Sequence, residues 1–302
     1  MLTARIFYSD EFVVPLPPGH RFPMEKYRLL RERVMDVGLA PSHWMEVPSG
    51  VADAQLHLAH DAGYVAAVVQ GTLPRAEQRR IGFPWSPEMV ERSRRSAGAT
   101  LAACRAALQY GVGVNLAGGT HHAFPGRGEG YCVFNDTAVA VRVLQADRVV
   151  RRVLVVDTDV HQGNGTAAVF RGDPSVFTLD VYAERNFPFE KEPCDLGVPL
   201  PDRTTDDAYL TLLEEALGDA LARSEPDLAV YVSGADPYEH DRLGRLALTK
   251  HGLAERDRIV CGTLRSVGIP VAVTMAGGYA VEVADTVDIH LATTRVAMGL
   301  TR

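Results

Sequence analysis

The stretch RVLVVDTDVHQGNG, residues 152–165, runs from a compact apolar segment straight into a cluster of carboxylates, an imidazole, glycines and an amide. A short valine-rich run suits a strand buried on both faces, the condition of strands in a parallel sheet. The residues that follow are of the kind that end a strand and hold a ligand. Working outward, similar short runs occur as VGVNLA (112–117), SVFTLDV (175–181), DLAVYVS (227–233) and PVAVTM (270–275). Between and before them lie helical patterns over 24–36, 86–110, 134–145, 206–223, 249–267 and 281–299, whereas VPLPPGHRFP (14–23) reads as a surface loop. The alternation is that of βαβ units and predicts an α/β fold, with an open, mostly parallel sheet covered by helices on both faces.

With 302 residues, 46% of them apolar, the chain can bury a sizeable core. The formal charge of −7 gives no reason to expect a broad basic surface for nucleic acid or an acidic membrane. Cys104, Cys132, Cys194 and Cys261 have no CxxC spacing, which argues against a thiolate metal site and a dense disulfide framework and fits the reducing cytoplasm. The opening MLTARIFYSD lacks the basic-then-apolar profile of a leader, and no run approaches the roughly 18 apolar residues of a membrane span. A soluble, unprocessed chain is the expectation.

The unusual polar residues fall just past strand C-termini: His121 and His122 after the first, Asp157, Asp159 and His161 after the second, Asp236 after the fourth, and Gly277, Gly278 and Tyr279 after the fifth. In open α/β sheets ligands bind along that edge, so these distant residues are expected to converge. Asp159 and His161 are two apart and can share one cation, Zn²⁺ or Fe²⁺ by donor chemistry, with Asp236 in VSGADPYEHDRLG as the candidate third ligand. Taken alone, a DxH pair or a Gly-Ala-Asp-Pro turn is commonly just loop structure; the other clusters give these residues their weight. Asp241 is expected to hold the loop, and His251 and His290 to be ordinary structural or surface residues. The adjacent histidines follow two glycines in NLAGGTHHAF, which allow a tight turn and close backbone approach. One imidazole can take a proton from an attacking water and the other serve the leaving amine, if Asp157 and Asn164 orient them. Tyr279 can donate a hydrogen bond to a developing oxyanion.

Taken together, GGTHHA, DTDVHQGNG, SGADPYEHDRLG and AGGY, in that order, resemble the signature of the histone deacetylase superfamily. The likeness extends over HRFPMEKYRLLRERV (20–34), AHDAGYV (59–65) and GEGYCVFND (128–136). The GNG motif, LDVY (179–182) and DRLGRLALT (241–249) look closest to class IV and its bacterial relatives. The resemblance implies one catalytic domain over 1–302, arginase-like, with a sheet of about eight strands. It implies zinc-dependent hydrolysis of acyl-lysine amides in a peptide or protein. Asp159, His161 and Asp236 would be the zinc ligands, His121 and His122 the proton-transfer pair with Asp157 and Asn164 as partners, and Tyr279 the transition-state clamp. Asp157, Asp180 and Val181 resemble a structural potassium site, and Gly130, Tyr131, Gly277 and Gly278 would contact substrate.

Three departures qualify the likeness. Asn164 replaces a second aspartate, which disfavours a charged His122 and suggests a neutral base. Tyr131 replaces a tunnel phenylalanine, and RAEQRRIGFPWSP (75–87) lacks the aspartate with which class I enzymes grip a peptide backbone. Substrate identity is therefore open between acyl-lysine, long-chain acyl groups included, and an acetylpolyamine or other small acyl-amine. A non-enzymatic acyl-lysine binding subunit is the rival of a different class, opposed by the complete set of ligands, histidines and tyrosine.

Overall fold

The computed structural model describes residues 4–299, so the first three and last three residues of the expected 1–302 unit lie outside it. In chain order the elements are β1 (Arg5–Phe7), α1 (Lys26–Asp36), β2 (Met45–Glu46), α2 (Asp53–Leu56), α3 (Ala62–Gln70), α4 (Arg75–Ile81), α5 (Pro87–Tyr110) and β3 (Val112–Asn115). They continue with α6 (Asp136–Ala146), β4 (Val153–Asp157), α7 (Asn164–Phe170), β5 (Val176–Ala183) and β6 (Leu196–Leu200). The chain then runs through α8 (Asp206–Ser224), β7 (Leu228–Ser233), α9 (Lys250–Ser266), β8 (Val271–Met275) and α10 (Val283–Ala297).

All eight strands join one sheet in the order β2-β1-β3-β8-β7-β4-β5-β6, and every pairing is parallel, so the sheet is fully rather than mostly parallel. Side-chain alternation divides the core into two layers. Leu154, Val156, Tyr231 and Val273 belong to one, and Val153, Val155, Val230 and Ala272 to the other. Helices α1, α8, α9 and α10 cover the first face; α5 and α6 cover the second. Emptying such a fully buried aliphatic position to alanine typically costs about 2–5 kcal/mol.

The five valine-rich runs are the five strands β3, β4, β5, β7 and β8, and four of them, β3-β8-β7-β4, stand side by side at the centre. Because they are parallel and adjacent, the loops at their C-termini open on one edge. Helix ends are fixed by local chemistry. Ser86 Oγ accepts from Met89 N with Pro87 next in line, Asn135 accepts from Ala138 N, and Thr249 accepts from Gly252 N. Among the described residues no helix is long and apolar enough to cross a membrane.

Candidate functional site

The four central loops, with segments at 21–27, 79–82 and 185–189, line a cavity of about 870 Å³, with His121, His122, Asp159 and His161 at its inner end and Tyr131, Phe187 and Tyr279 along its walls. Asp159, His161 and Asp236 are buried, and one donor atom from each lies within 4.8 Å of the others. His161 Nδ1 is 2.9 Å from Asp159 Oδ1 and 3.3 Å from Asp236 Oδ2. Asp236 Oδ1 accepts from Val160 N, but its Oδ2 is buried with no hydrogen-bond partner. An unpaired carboxylate oxygen in the interior is costly unless a cation meets it. Two carboxylates and an imidazole converging in this way fit a divalent metal.

The same demand for positive charge appears in the protonation of these groups. Burial opposes a charged His161, yet the hydrogen bond to Asp159 and the attraction of Asp159 and Asp236 push it up to about 10. Burial likewise disfavours an ionised Asp159, but the His121 and His161 charges hold it well below the usual carboxylate range. Asp236 is raised by burial and by Asp159.

The histidine pair has two different environments. His121 Nδ1 is 2.7 Å from Asp157 Oδ2; burial opposes its charge, but Asp157 and Asp159 push it up to about 9. His122 Nδ1 is 2.7 Å from Asn164 Oδ1, and burial together with the His121 and His161 charges holds it well below the ordinary histidine range. The two rings lie 4.1 Å apart. Gly130, at φ 58°, allows this packing, since a Cβ there would stand 2.7 Å from His122 Cδ2. Burial and the nearby Asp236 and Asp159 push the Tyr279 phenol well above its ordinary value, so it remains a hydrogen-bond donor.

Asp157 and Asp180 are paired across β4 and β5, and Asp180 Oδ1 is also buried and unpartnered. Burial and Asp157 raise the Asp180 carboxyl well above its usual value. Asp241 holds the tyrosine loop, as Oδ2 accepts from Tyr279 N at 2.6 Å while Oδ1 accepts from Leu243 N and Gly244 N.

The glycines divide. Gly277 donates its N–H to Asp159 Oδ2 at 2.7 Å, and a Cβ there would lie 1.8 Å from Asp236 Oδ2, so its task is to let the ligand carboxylates close. Gly278, expected to contact substrate, is not among the residues lining the cavity: its φ is 151° and a Cβ there would come within 2.5 Å of Thr286 Cγ2. It is a packing position. Of the two histidines expected to be structural or surface residues, His251 is exposed and His290 is buried, with neither ring nitrogen hydrogen-bonded.

Several residues that hold the site were missed by sequence reasoning. Asp136, at the start of α6, accepts from Gly119 N, Thr120 N and Thr120 Oγ1, and so fixes the turn before the histidines. Arg256 on α9 is fully buried against Asp257 and donates to Gly234 O and Thr158 O, tying together the two ligand loops. Lys26 donates to Ala276 O and Gly278 O from beneath the tyrosine loop. Phe187 meets His122 edge-on at 5.0 Å and lines the cavity with Tyr131. The motif NDT (135–137) at a helix start was a readable cue for Asp136; nothing local marks the other three.

The class of protein, a hydrolase of the deacetylase type, follows from its family. A histone deacetylase domain model matches residues 20–294, and the chain belongs to that family. It is 44% identical over 285 residues to an uncharacterized protein of Picosynechococcus sp., covering 94% of this chain and 95% of that one. It is 33% identical to histone deacetylase 2 of Arabidopsis thaliana and 30% identical to acetoin utilization protein AcuC of Bacillus subtilis. Those matches cover 67% and 76% of this chain but only 51% and 65% of theirs. A solved structure of a histone deacetylase homolog from Aquifex aeolicus superimposes with a TM-score of 0.86 at 22% identity, covering 99% of this chain and 85% of that one. The HD domain of HDA15 gives 0.83 at 21% identity, covering 100% and 91%. At such identities the likeness is one of fold.

Proposed function

We propose that the chain is a zinc-dependent deacylase that hydrolyses the amide of acylated lysine side chains. The observation that carries the reading is the unpaired Asp236 Oδ2 facing His161 Nδ1 beside two histidines of opposite protonation preference. Asp159, His161 and Asp236 would hold Zn²⁺, or Fe²⁺ where available, and Asp157, Asp180 and the Val181 segment a structural K⁺. The divalent ion, when bound, supplies Lewis acidity to the acyl carbonyl and the attacking water.

The protein groups do the rest. His122 is kept neutral by burial and by its charged neighbours, and its Nδ1–H is engaged by Asn164, so Nε2 is the lone pair available to take a proton from water. His121, held as imidazolium by Asp157, donates its own proton to the departing lysine amine, and the proton held by His122 restores it. Tyr279 donates its hydroxyl hydrogen to the oxyanion as the carbonyl becomes tetrahedral. Tyr131 and Phe187 wall the passage for the lysine stem, and Gly130 lets that wall approach His122. The four free cysteines accord with a reducing compartment such as the cytoplasm.

The test is turnover. Purified protein should release free acid from acetyl, octanoyl or myristoyl lysine peptides, stop after chelation, and recover with added Zn²⁺. Binding of acyl-lysine without hydrolysis at any metal loading would replace this reading with that of a binding subunit.

A further inference from the structure

The net charge of −7 conceals a local reversal at the mouth of the cavity. Arg21, Arg79, Arg80, Arg185, Arg242 and Arg245 all line it, and all six are exposed. The one acidic residue in that lining is Asp159, buried at the inner end among the metal ligands. Arg245 is paired with Asp202, which Arg185 also approaches. The other four arginines, and Arg185 itself, form no ion pair with any described residue.

The arginines come from four separate segments: two beside Tyr131, one beside Phe187 and one beside Tyr279. Arg80 O accepts from Gly130 N, next to Tyr131, and Arg21 adjoins Phe22, whose ring packs 5.2 Å from that of Tyr131. Arg185 precedes Phe187 by two residues, and Arg242 N donates to Tyr279 O. Positive charge therefore surrounds the opening, and converging like charges, five of the six without an ion-pair partner, raise the local potential over a reach of about 8–10 Å at ordinary salt. Phe189, 86% exposed on the same rim, adds apolar surface with nothing packed over it.

Resting on the deacylase reading, we infer that the substrate is an acyl-lysine embedded in an acidic polypeptide segment, with aspartates or glutamates on both sides of the modified residue. A small anion would engage one side of the ring, whereas a chain crossing the mouth meets arginines on entering and leaving. A polyamine tail or a lysine-rich segment would be repelled, which sets the acetylpolyamine alternative aside.

The experiment uses the full, zinc-loaded chain and peptides that share one acyl-lysine, flanked on each side by two aspartates, two glycines or two lysines. The ratio kcat/KM should fall about tenfold at each step from acidic to neutral to basic flanks, and the spread should shrink as NaCl rises from about 50 mM to about 500 mM. The double substitution Arg79→Glu, Arg80→Glu should lower the acidic peptide's kcat/KM and raise that of the lysine-flanked one, a gain that misfolding cannot produce. Equal rates for all flanks, a preference for basic ones, or no such gain overturns the inference while leaving deacylation intact. If the lone carboxylate of free Nα-acetyl-Nε-acyl-lysine gives the whole advantage over its amide, the occupant is a small anion and the polypeptide assignment falls. Failure to hydrolyse any peptide overturns the deacylase reading itself.

Discussion

Asn164 Nδ2 donates to Glu129 Oε1 at 2.7 Å, and this bond decides which end of the Asn164 amide faces His122. With the NH₂ claimed by a carboxylate, Oδ1 is left for His122 Nδ1 and for Gly165 N, so the histidine's tautomer is set from two residues away. The amide thus passes on the orienting effect of a carboxylate without placing its charge against the imidazole.

Asn164→Asp would supply that charge. An anion beside His122 favours its protonated form, so the acidic limb of the kcat/KM profile should move to higher pH, by roughly one unit or more. The new carboxylate would sit against Glu129, and two acids at that distance share a proton. The full shift is therefore expected in the double variant Asn164→Asp, Glu129→Gln. If the pH profile of that double variant keeps its acidic limb where the parent has it, His122 is not the base.

Gly277→Ala should abolish metal binding, because the added methyl would stand 1.8 Å from Asp236 Oδ2 and 2.6 Å from Asp159 Oδ2. Metal content per chain and turnover should fall together. Gly218→Ala on the exposed face of α8 meets no atom within 4 Å, and should raise stability by about 0.5–1 kcal/mol with metal content unchanged.

Tyr279→Phe removes the proposed oxyanion donor but keeps the aromatic wall. The expected loss is about 10²–10³-fold in kcat, with KM little changed. A matching rise in KM at constant kcat would assign the tyrosine to ground-state binding instead.

Stability should fall on mild acidification because of His60. It is buried, Nδ1 donates to Phe124 O and Nε2 accepts from Asn135 N, an arrangement that only the neutral ring can make. Burial is the main reason its pKa drops from 6.5 to about 4. The folded form therefore resists a proton that the unfolded chain accepts. The contribution is complete above pH 6.5, declines as pH falls toward 4, and amounts to roughly 3 kcal/mol. Urea midpoints across this window should show the decline, and His60→Gln, less stable at pH 8, should show a shallower one. Equal slopes for parent and variant would assign the acid sensitivity elsewhere.

The strands that carry the site were legible because each is a continuous apolar run between polar turns, a local signal. Those that escaped are short or at the sheet margins. Met45–Glu46 and Arg5–Phe7 are too brief to show a period, and Leu196–Leu200 alternates weakly around Pro199 near one edge. RAEQRRI (75–81), marked in the sequence only for lacking an aspartate and given no secondary structure, is the helix α4, placing Arg79 and Arg80 at the cavity mouth.

What the sequence determined by itself is the order of the five central strands and six of the helices along the chain, and the identity of Asp159, His161, His121, His122, Asp236 and Tyr279 as the residues worth joining. Backbone periodicity and the chemistry of donors are written residue by residue, and need no third dimension. Only the tertiary structure decided that β3, β8, β7 and β4 are neighbours, that Glu129 orients Asn164, that Arg256 ties two loops, and that arginines from four segments ring one opening on an acidic protein. Those relationships are spatial sums over distant segments, and hydrophobic packing of the two core layers fixes them.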